Sequence, residues 1–315
     1  MTSAQKTGKD DVALTFNGVH KTFRLGLKFS KVHAVRGVSL NVKRGEIFGY
    51  LGPNGAGKTT SMKMALGLIR PTSGHIEILG QPAWDARARE KVGYAPEHPY
   101  FYDFLTPVEL LKFYGQIFGL SKTVIANRTE ELLSTVGLEA SKNRRLRGFS
   151  KGMLQRTSVA QALIGDPELV VLDEPLSGLD PMGRKELRDV IVGLRQRGTT
   201  VFVSSHILHD LELICDRVAI IVNGRVEREG VLQELLQADV ADVDVEVREL
   251  PSEAREKLEA EFSVTDLGRV LLVKVPSNRV DGVLSSVIAA GGSVLQVTPR
   301  RLSLEELFMQ EASRE

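Results

Sequence analysis

The stretch that most constrains the fold is Ile47-Phe48-Gly49-Tyr50-Leu51, followed at once by Gly52-Pro53-Asn54-Gly55-Ala56-Gly57-Lys58-Thr59. Five apolar residues behind a Lys43-Arg44-Gly45 turn suit a short strand buried on both faces. The glycines that follow match G-x-x-x-x-G-K-[ST], in which backbone N–H groups turn inward around phosphate at the start of a helix. That helix is expected from Thr59 to about Leu68, stopped by Pro71. In such a loop Gly52, Asn54, Gly55, Ala56 and Gly57 form the cradle. Lys58 brings a point charge to the β- and γ-phosphates, and the Thr59 hydroxyl holds Mg²⁺.

The rest of the first 238 residues reads as an α/β pattern. Val12, Leu14 and Phe16 alternate with polar residues, as do Val38, Leu40 and Val42, which predicts half-buried strands. Residues from about 95 to 155 read as mainly helical, with breaks at Thr106-Pro107, Gly119 and Gly137. Leu169 to Leu172 and Thr200 to Val203 are two more buried strands, separated by a helix that Asp180-Pro181 opens and Gly198 ends. Asn223-Gly224 between two apolar runs predicts a tight hairpin. Buried strands alternating with helices imply a mostly parallel sheet covered on both faces.

After about Asp239 the texture changes. Asp242 to Val247 alternates strictly, and the run that follows reads helix, strand, strand, helix, strand: Ser252 to Glu261, Ser263 to Asp266, Arg269 to Val275, Asn278 to Ala290, Ser293 to Thr298. The order β-α-β-β-α-β is that of a small ferredoxin-like α+β domain, here assigned to residues 239–315 with a closing helix, Leu304 to Gln310. Residues 1–11 read as a frayed polar tail, and residues 12–238 as the main domain. No catalytic constellation stands out in the small domain.

Several residues downstream of the phosphate loop bear chemistry. Asp173-Glu174 ends the buried run Leu169 to Leu172. A carboxylate at a strand end facing such a loop can hold Mg²⁺, and its neighbour can polarise an attacking water. A helix cap or turn is the ordinary role for an acidic pair, and the upstream loop favours the functional one. His206 follows the next buried strand and reaches the same edge, where ligands bind in sheets of this kind. A lone histidine is ordinarily structural, but at this edge a γ-phosphate contact is the favoured role. A second polar turn, Phe149-Ser150-Lys151-Gly152-Met153-Leu154-Gln155-Arg156, opens another helical run. Ser150 and Gly152 there could offer a hydroxyl, a backbone N–H and a helix N-terminus to phosphate, yet one nucleotide needs one cradle.

Composition narrows the classes further. The chain has 315 residues, a net charge of +1 and one cysteine. Near-neutral charge argues against a nucleic-acid partner held by bulk electrostatics, and a lone Cys215 excludes an intrachain disulfide. No segment approaches the roughly 18 consecutive apolar residues of a bilayer-spanning helix. A cytoplasmic protein is expected, one that would need another chain to cross a membrane.

In the order of these motifs, residues 12 to 236 resemble the ATP-binding subunits of ABC transporters: the phosphate loop, FSKGMLQR, LVVLDEP, Ser177-Gly178-Leu179-Asp180 and His206. The resemblance implies a P-loop NTPase cassette with an antiparallel N-terminal β part and a helical subdomain at about 95–155. It implies ATP and Mg²⁺ bound by Lys58, Thr59 and Thr60, metal held with help from Asp173, Glu174 as general base and His206 as γ-phosphate sensor. Asp180 falls in the loop that signals across a dimer, and Ser150 and Gly152 face the partner copy's ATP. Phe23 falls where the family stacks an aromatic on adenine, with core packing as its alternative. The implied partners are a second ATPase subunit and a polytopic membrane permease, which would hold the protein at the inner face of the cell membrane.

Two departures from the family pattern stand out. Glu97, in Tyr94-Ala95-Pro96-Glu97-His98, occupies the place of the family's metal-and-water glutamine and would bring an anion near Mg²⁺. The turn reads Ser150-Lys151-Gly152-Met153 instead of serine-glycine-glycine-glutamine, which resembles exporter ATPases for drugs, lipids, ions or polymers. The rival readings are a soluble ABC ATPase on ribosomes or nucleic acid, an importer subunit, and a nucleotide-gated regulator. Eight of the 18 aromatics also fall between Tyr94 and Phe118. Phe113, Tyr114 and Phe118 are expected in the core of the helical subdomain. Pro99 to Phe104 is expected to line a groove for a helix of the membrane partner.

Overall fold

The structure, a computed structural model, describes residues 11–25, 30–237, 242–299 and 303–313. The N-terminal tail (Asp11 apart) and the boundary placed at 238–239 lie outside these residues. The chain divides into two compact units: one running to Leu232 and including the residues from Phe308 on, the other Gln233–Leu307.

The first unit contains, in order, β1 (Val12–Leu25), β2 (Ser30–Lys43), β3 (Ile47–Leu51), α1 (Lys58–Ala65), β4 (Ser73–Ile78), β5 (Gln81–Pro82), β6 (Val92–Ala95), α2 (Pro107–Ile117), α3 (Lys122–Thr135), α4 (Lys151–Leu163), β7 (Leu169–Asp173), α5 (Pro181–Gln196), β8 (Thr200–Ser205), α6 (Leu208–Glu212), β9 (Arg217–Val222) and β10 (Arg225–Val231). One sheet has the order β10-β9-β3-β8-β7-β6, parallel throughout except where β10 returns antiparallel to β9. The other, β2-β1-β4-β5, is antiparallel. Every residue of β3, β7 and β8 is buried, which explains their largely apolar or small-residue character, with Asp173 at the end of β7 the charged exception.

Phe202 of β8 joins the two sheets. Its ring centroid lies 5.4 Å from Tyr50, 6.0 Å from Phe48 and 6.4 Å from Phe16 of β1. Burying a side chain of that size stabilises by about 1.5–3 kcal/mol, so this cluster is a principal weld of the unit. The Asn223-Gly224 hairpin forms as expected, with φ of 46° and 82°.

The structure departs from the sequence expectation in three places. β1 and β2 are fourteen-residue strands whose register shifts four times, and these bulges interrupt the alternation that would mark their full length. Residues 96–106 carry no helix. The helical part begins at Pro107, where Thr106 and Glu109 form a reciprocal cap. Phe113 and Phe118, expected in the subdomain core, are 44% and 39% exposed. Leu110, Leu111, Ile125, Leu132, Leu133 and Leu146 are buried instead. A Cβ on Gly115 would stand 2.7 Å from Ile125, so α2 and α3 meet at a glycine rather than at aromatic rings.

The second unit is built from α7 (Leu232–Gln237, its first residue counted with the first unit), β11 (Asp242–Arg248), α8 (Ser252–Glu261), β12 (Ser263–Asp266), β13 (Leu271–Pro276), α9 (Val280–Ala289) and β14 (Ser293–Pro299); α10 (Leu304–Ser313) follows. Its antiparallel sheet has the order β12-β13-β11-β14, which with the β-α-β-β-α-β chain order is the split arrangement. Val243, Val245 and Val247 alternate inward onto a core with Leu258, Val273, Val275, Val283 and Val287.

Candidate active site

The parallel sheet determines what meets at its edge. In register, Tyr50 of β3 lies beside Ser204 of β8, and Ser204 lies beside Asp173 of β7. Three adjacent strands therefore end together, with the phosphate loop leaving the first of them. The loop has no room for side chains at its two ends. A Cβ on Gly52 would fall 2.3 Å from the Ile221 carbonyl oxygen, and one on Gly57 would fall 2.3 Å from that of Ala34. Gly57 also holds φ of 106°, a conformation open to glycine. It precedes α1 without a side-chain cap, and the first turn carries no acidic residue. The orphan N–H groups are thus available to an anion.

Lys58 is 6% exposed and donates to the carbonyls of Gly52 (2.6 Å) and Pro53 (3.2 Å). Its ammonium also lies 3.2 Å from Glu174 Oε1. Thr59 Oγ1 donates to Asp173 Oδ1 at 3.3 Å. Glu174 is held from three sides: its backbone N–H donates to Ser204 Oγ (3.0 Å), and its Oε2 accepts from the His206 N–H (3.1 Å) and meets His206 Nδ1 at 2.7 Å. It sits at φ of 51°, a left-handed backbone that for a non-glycine residue costs about 1–3 kcal/mol. Strain of that kind persists only where the surroundings over-determine it, as they do here.

Burial raises the Asp173 pKa, against lowering by the Ser204 and Thr59 hydroxyls; the charges of Glu174 and Glu97 raise it further. Burial, with the charges of Asp173 and Glu97, pushes the Tyr94 phenol up to about 12. A hydroxyl and a desolvated carboxylate side by side are hard oxygen donors that fit Mg²⁺. Among the described residues no group of three or more His, Cys, Asp or Glu could hold a metal by itself.

The sequence-derived residues beyond the glycine cradle fall into three groups, with Phe23 apart. Lys58, Thr59, Asp173, Glu174 and His206 come together as a bonded cluster. Thr60 sits half-buried one position further into α1, and Glu97 stands at the rim with its side chain 40% exposed and His98 Nδ1 3.7 Å away. Ser150, Gly152 and Asp180 belong to a neighbouring pair of turns. Ser150 Oγ caps α4 by accepting from the Met153 N–H, and Asp180 caps α5 by accepting from that of Gly183. A Cβ on Gly152 would touch Leu179 at 3.1 Å, and one on Gly178 would meet the Lys151 ammonium at 2.5 Å. Phe23 is half-buried on β1, opposite Val32 and outside the buried core, with the Lys21 ammonium 5.1 Å from its ring centroid. Ser204 escaped the sequence reading, although the Ser204-Ser205-His206 run ends a strand whose edge position was legible.

Comparison with known proteins places this geometry in a family. The ABC transporter family profile, described as "ABC transporter", matches residues 35–177. An ABC transporter ATP-binding protein of Synechocystis, sll0415, is 47% identical over 70% of this chain, which spans 63% of that relative's length. Another from Nostoc, all4389, is 41% identical over 94% of this chain and 89% of its own. The bacitracin transport ATP-binding protein BcrA of Bacillus licheniformis is 36% identical over 92% of this chain and 96% of its own. Among solved structures, the cassette MJ0796, dimeric in a post-hydrolysis state with ADP and phosphate, matches with a TM-score of 0.64 at 26% identity over 70% of this chain and 98% of its own. With the phosphate loop, the strained Glu174 and His206 gathered at one sheet edge, this chain belongs to the ATP-binding, ATP-hydrolysing proteins of the ABC transporter family.

Proposed function

We propose that this ATPase powers export through a separate membrane-spanning permease, by closing two copies head to tail over ATP and reopening them after hydrolysis. The observation that carries the reading is the bonded cluster of Lys58, Thr59, Asp173, Glu174 and His206. In this reading the phosphate loop and Lys58 bind the β- and γ-phosphates, and Thr59 and Asp173 hold Mg²⁺. When bound, the ion neutralises charge that builds on the phosphate oxygens. Glu174 Oε2, oriented by the His206 N–H, orients and polarises the water that attacks the γ-phosphorus. His206 contacts the γ-phosphate from the next strand, and Phe23 stacks on adenine. Glu97 stands at the metal's outer rim. Ser150 and Gly152 close over the γ-phosphate bound to the partner copy, and Asp180 joins the same interface.

Support for export comes from the Ser150-Lys151-Gly152-Met153 turn and from relatives whose names state transport outward or of an antibiotic: Nod factor export ATP-binding protein I of Cupriavidus metallidurans and the bacitracin transport protein. No helix among the described residues is long and apolar enough to cross a membrane. In this reading the permease is a second chain, and it holds the ATPase at the inner face of the cell membrane. Glu174→Gln is the test: ATP binding persists, hydrolysis stalls and dimer accumulates on size-exclusion chromatography with ATP. Normal turnover in that variant refutes the base assignment.

A further inference from the structure

Ser204 is the fully buried penultimate residue of β8, between the ends of β3 and β7. Its hydroxyl makes two bonds whose directions are fixed by chemistry. The Glu174 backbone N–H can only donate, so Ser204 Oγ accepts there at 3.0 Å. Its own proton is then free for Asp173 Oδ1, 2.8 Å away. One hydroxyl thus ties the side chain of the carboxylate beside Thr59 to the backbone of the residue that follows it. That backbone is the one held at φ of 51°. With the Thr59 hydroxyl also on Oδ1, this oxygen accepts two donors and its rotation about the carboxyl axis is fixed.

We propose that Ser204 is a positioning residue: its hydroxyl sets Asp173 for the metal and, through the same atom, keeps Glu174 in the left-handed conformation that turns its carboxylate to His206. Ser205, one position on, is not equivalent, since its hydroxyl bonds the Ile207 backbone. The inference rests on the proposed roles of Asp173 and Glu174.

The test uses the full chain with Ser204→Ala and Ser204→Thr. It measures kcat and KM for ATP hydrolysis, and equilibrium ATP affinity with and without Mg²⁺. In Ser204→Ala, kcat falls by about tenfold or more, as for outer-shell partners of metal ligands. ATP affinity without Mg²⁺ stays within about threefold of the parent, while the affinity gained on adding Mg²⁺ shrinks. Ser204→Thr, which keeps the hydroxyl on a strand that favours β-branched residues, restores both the Mg²⁺ gain and most of kcat. The inference is overturned if the alanine variant turns over within about threefold of the parent, or if it loses metal-free affinity as much as turnover. It is overturned equally if threonine is as impaired as alanine at a matching Tm. Asp173→Asn and Glu174→Gln run alongside separate the two levels. If they turn over normally, the site reading itself fails; if they are inactive and Ser204→Ala is normal, only the Ser204 inference fails.

Discussion

Lys58 Nζ stands 3.2 Å from Glu174 Oε1, with both side chains all but sealed from water at 6% and 5% exposure. The cation proposed to receive phosphate and the carboxylate proposed to act on the water thus balance each other inside the fold. Removing one partner leaves the other charge buried, a loss of about 3 kcal/mol or more. Lys58→Ala is therefore expected to lower stability in urea denaturation as well as nucleotide affinity. Lys58→Ala combined with Glu174→Gln should recover much of the stability and none of the turnover. Additive losses in that double-mutant cycle would mean the pair is uncoupled.

Ser150 already spends its hydroxyl on the α4 cap. Its surface is what the partner copy's phosphate would meet. Ser150→Arg is expected to abolish turnover while ATP binding to the single copy stays intact, measured by a fluorescent nucleotide. Losing the cap costs about 1 kcal/mol, so a modest fall in Tm accompanies it. Wild-type hydrolysis in this variant would remove the turn from the reaction.

Charge introduced at Tyr100 and Phe101 should leave ATP affinity unchanged and abolish co-purification with the permease. Tyr100 is 95% exposed, and with Pro99, Phe101, Tyr114 and Phe118 it lines a groove of about 330 Å³. Unaltered co-purification would place the docking surface elsewhere.

Glu46 supplies a pH signature distant from the chemistry. Burial raises its pKa, outweighing the Lys43 backbone N–H and the Arg217 guanidinium that lower it. A carboxyl whose folded pKa exceeds its unfolded one binds its proton more tightly when folded. Its stabilising effect is full below the unfolded value and is lost as pH rises through the folded one. Glu46→Gln keeps an acceptor for Lys43 and cannot ionise. Its Tm relative to the parent is expected to climb as pH rises from 4 to 7 in differential scanning fluorimetry, and a constant difference would contradict the assignment.

Local features were legible before the fold. Gly52 to Thr59 and Leu169 to Glu174 declare themselves because glycine clearances and buried strands are written in consecutive residues. The Asn223-Gly224 turn and the six strands and helices from Asp242 to Thr298 were legible for the same reason. Ser204 was not, because its value comes from lying beside Asp173 in a register that no single stretch encodes. The strained φ of Glu174 is likewise imposed by partners 30 and 32 residues away. Phe113 and Phe118 misled because aromatic content signals burial on average, whereas Leu110 and Leu111 had already claimed the inward face of α2.

The Lys151 side chain rests on Gly178, where any added carbon would collide with it. Arg156, one turn and a half along the same helix, clasps Glu186 of α5 at 2.5 Å. The start of α4 and the loop before α5 therefore form one stiff wedge rather than two independent fingers. In a closed pair the two turns would engage together and withdraw together, which gives each half-site an all-or-none seal instead of a graded grip.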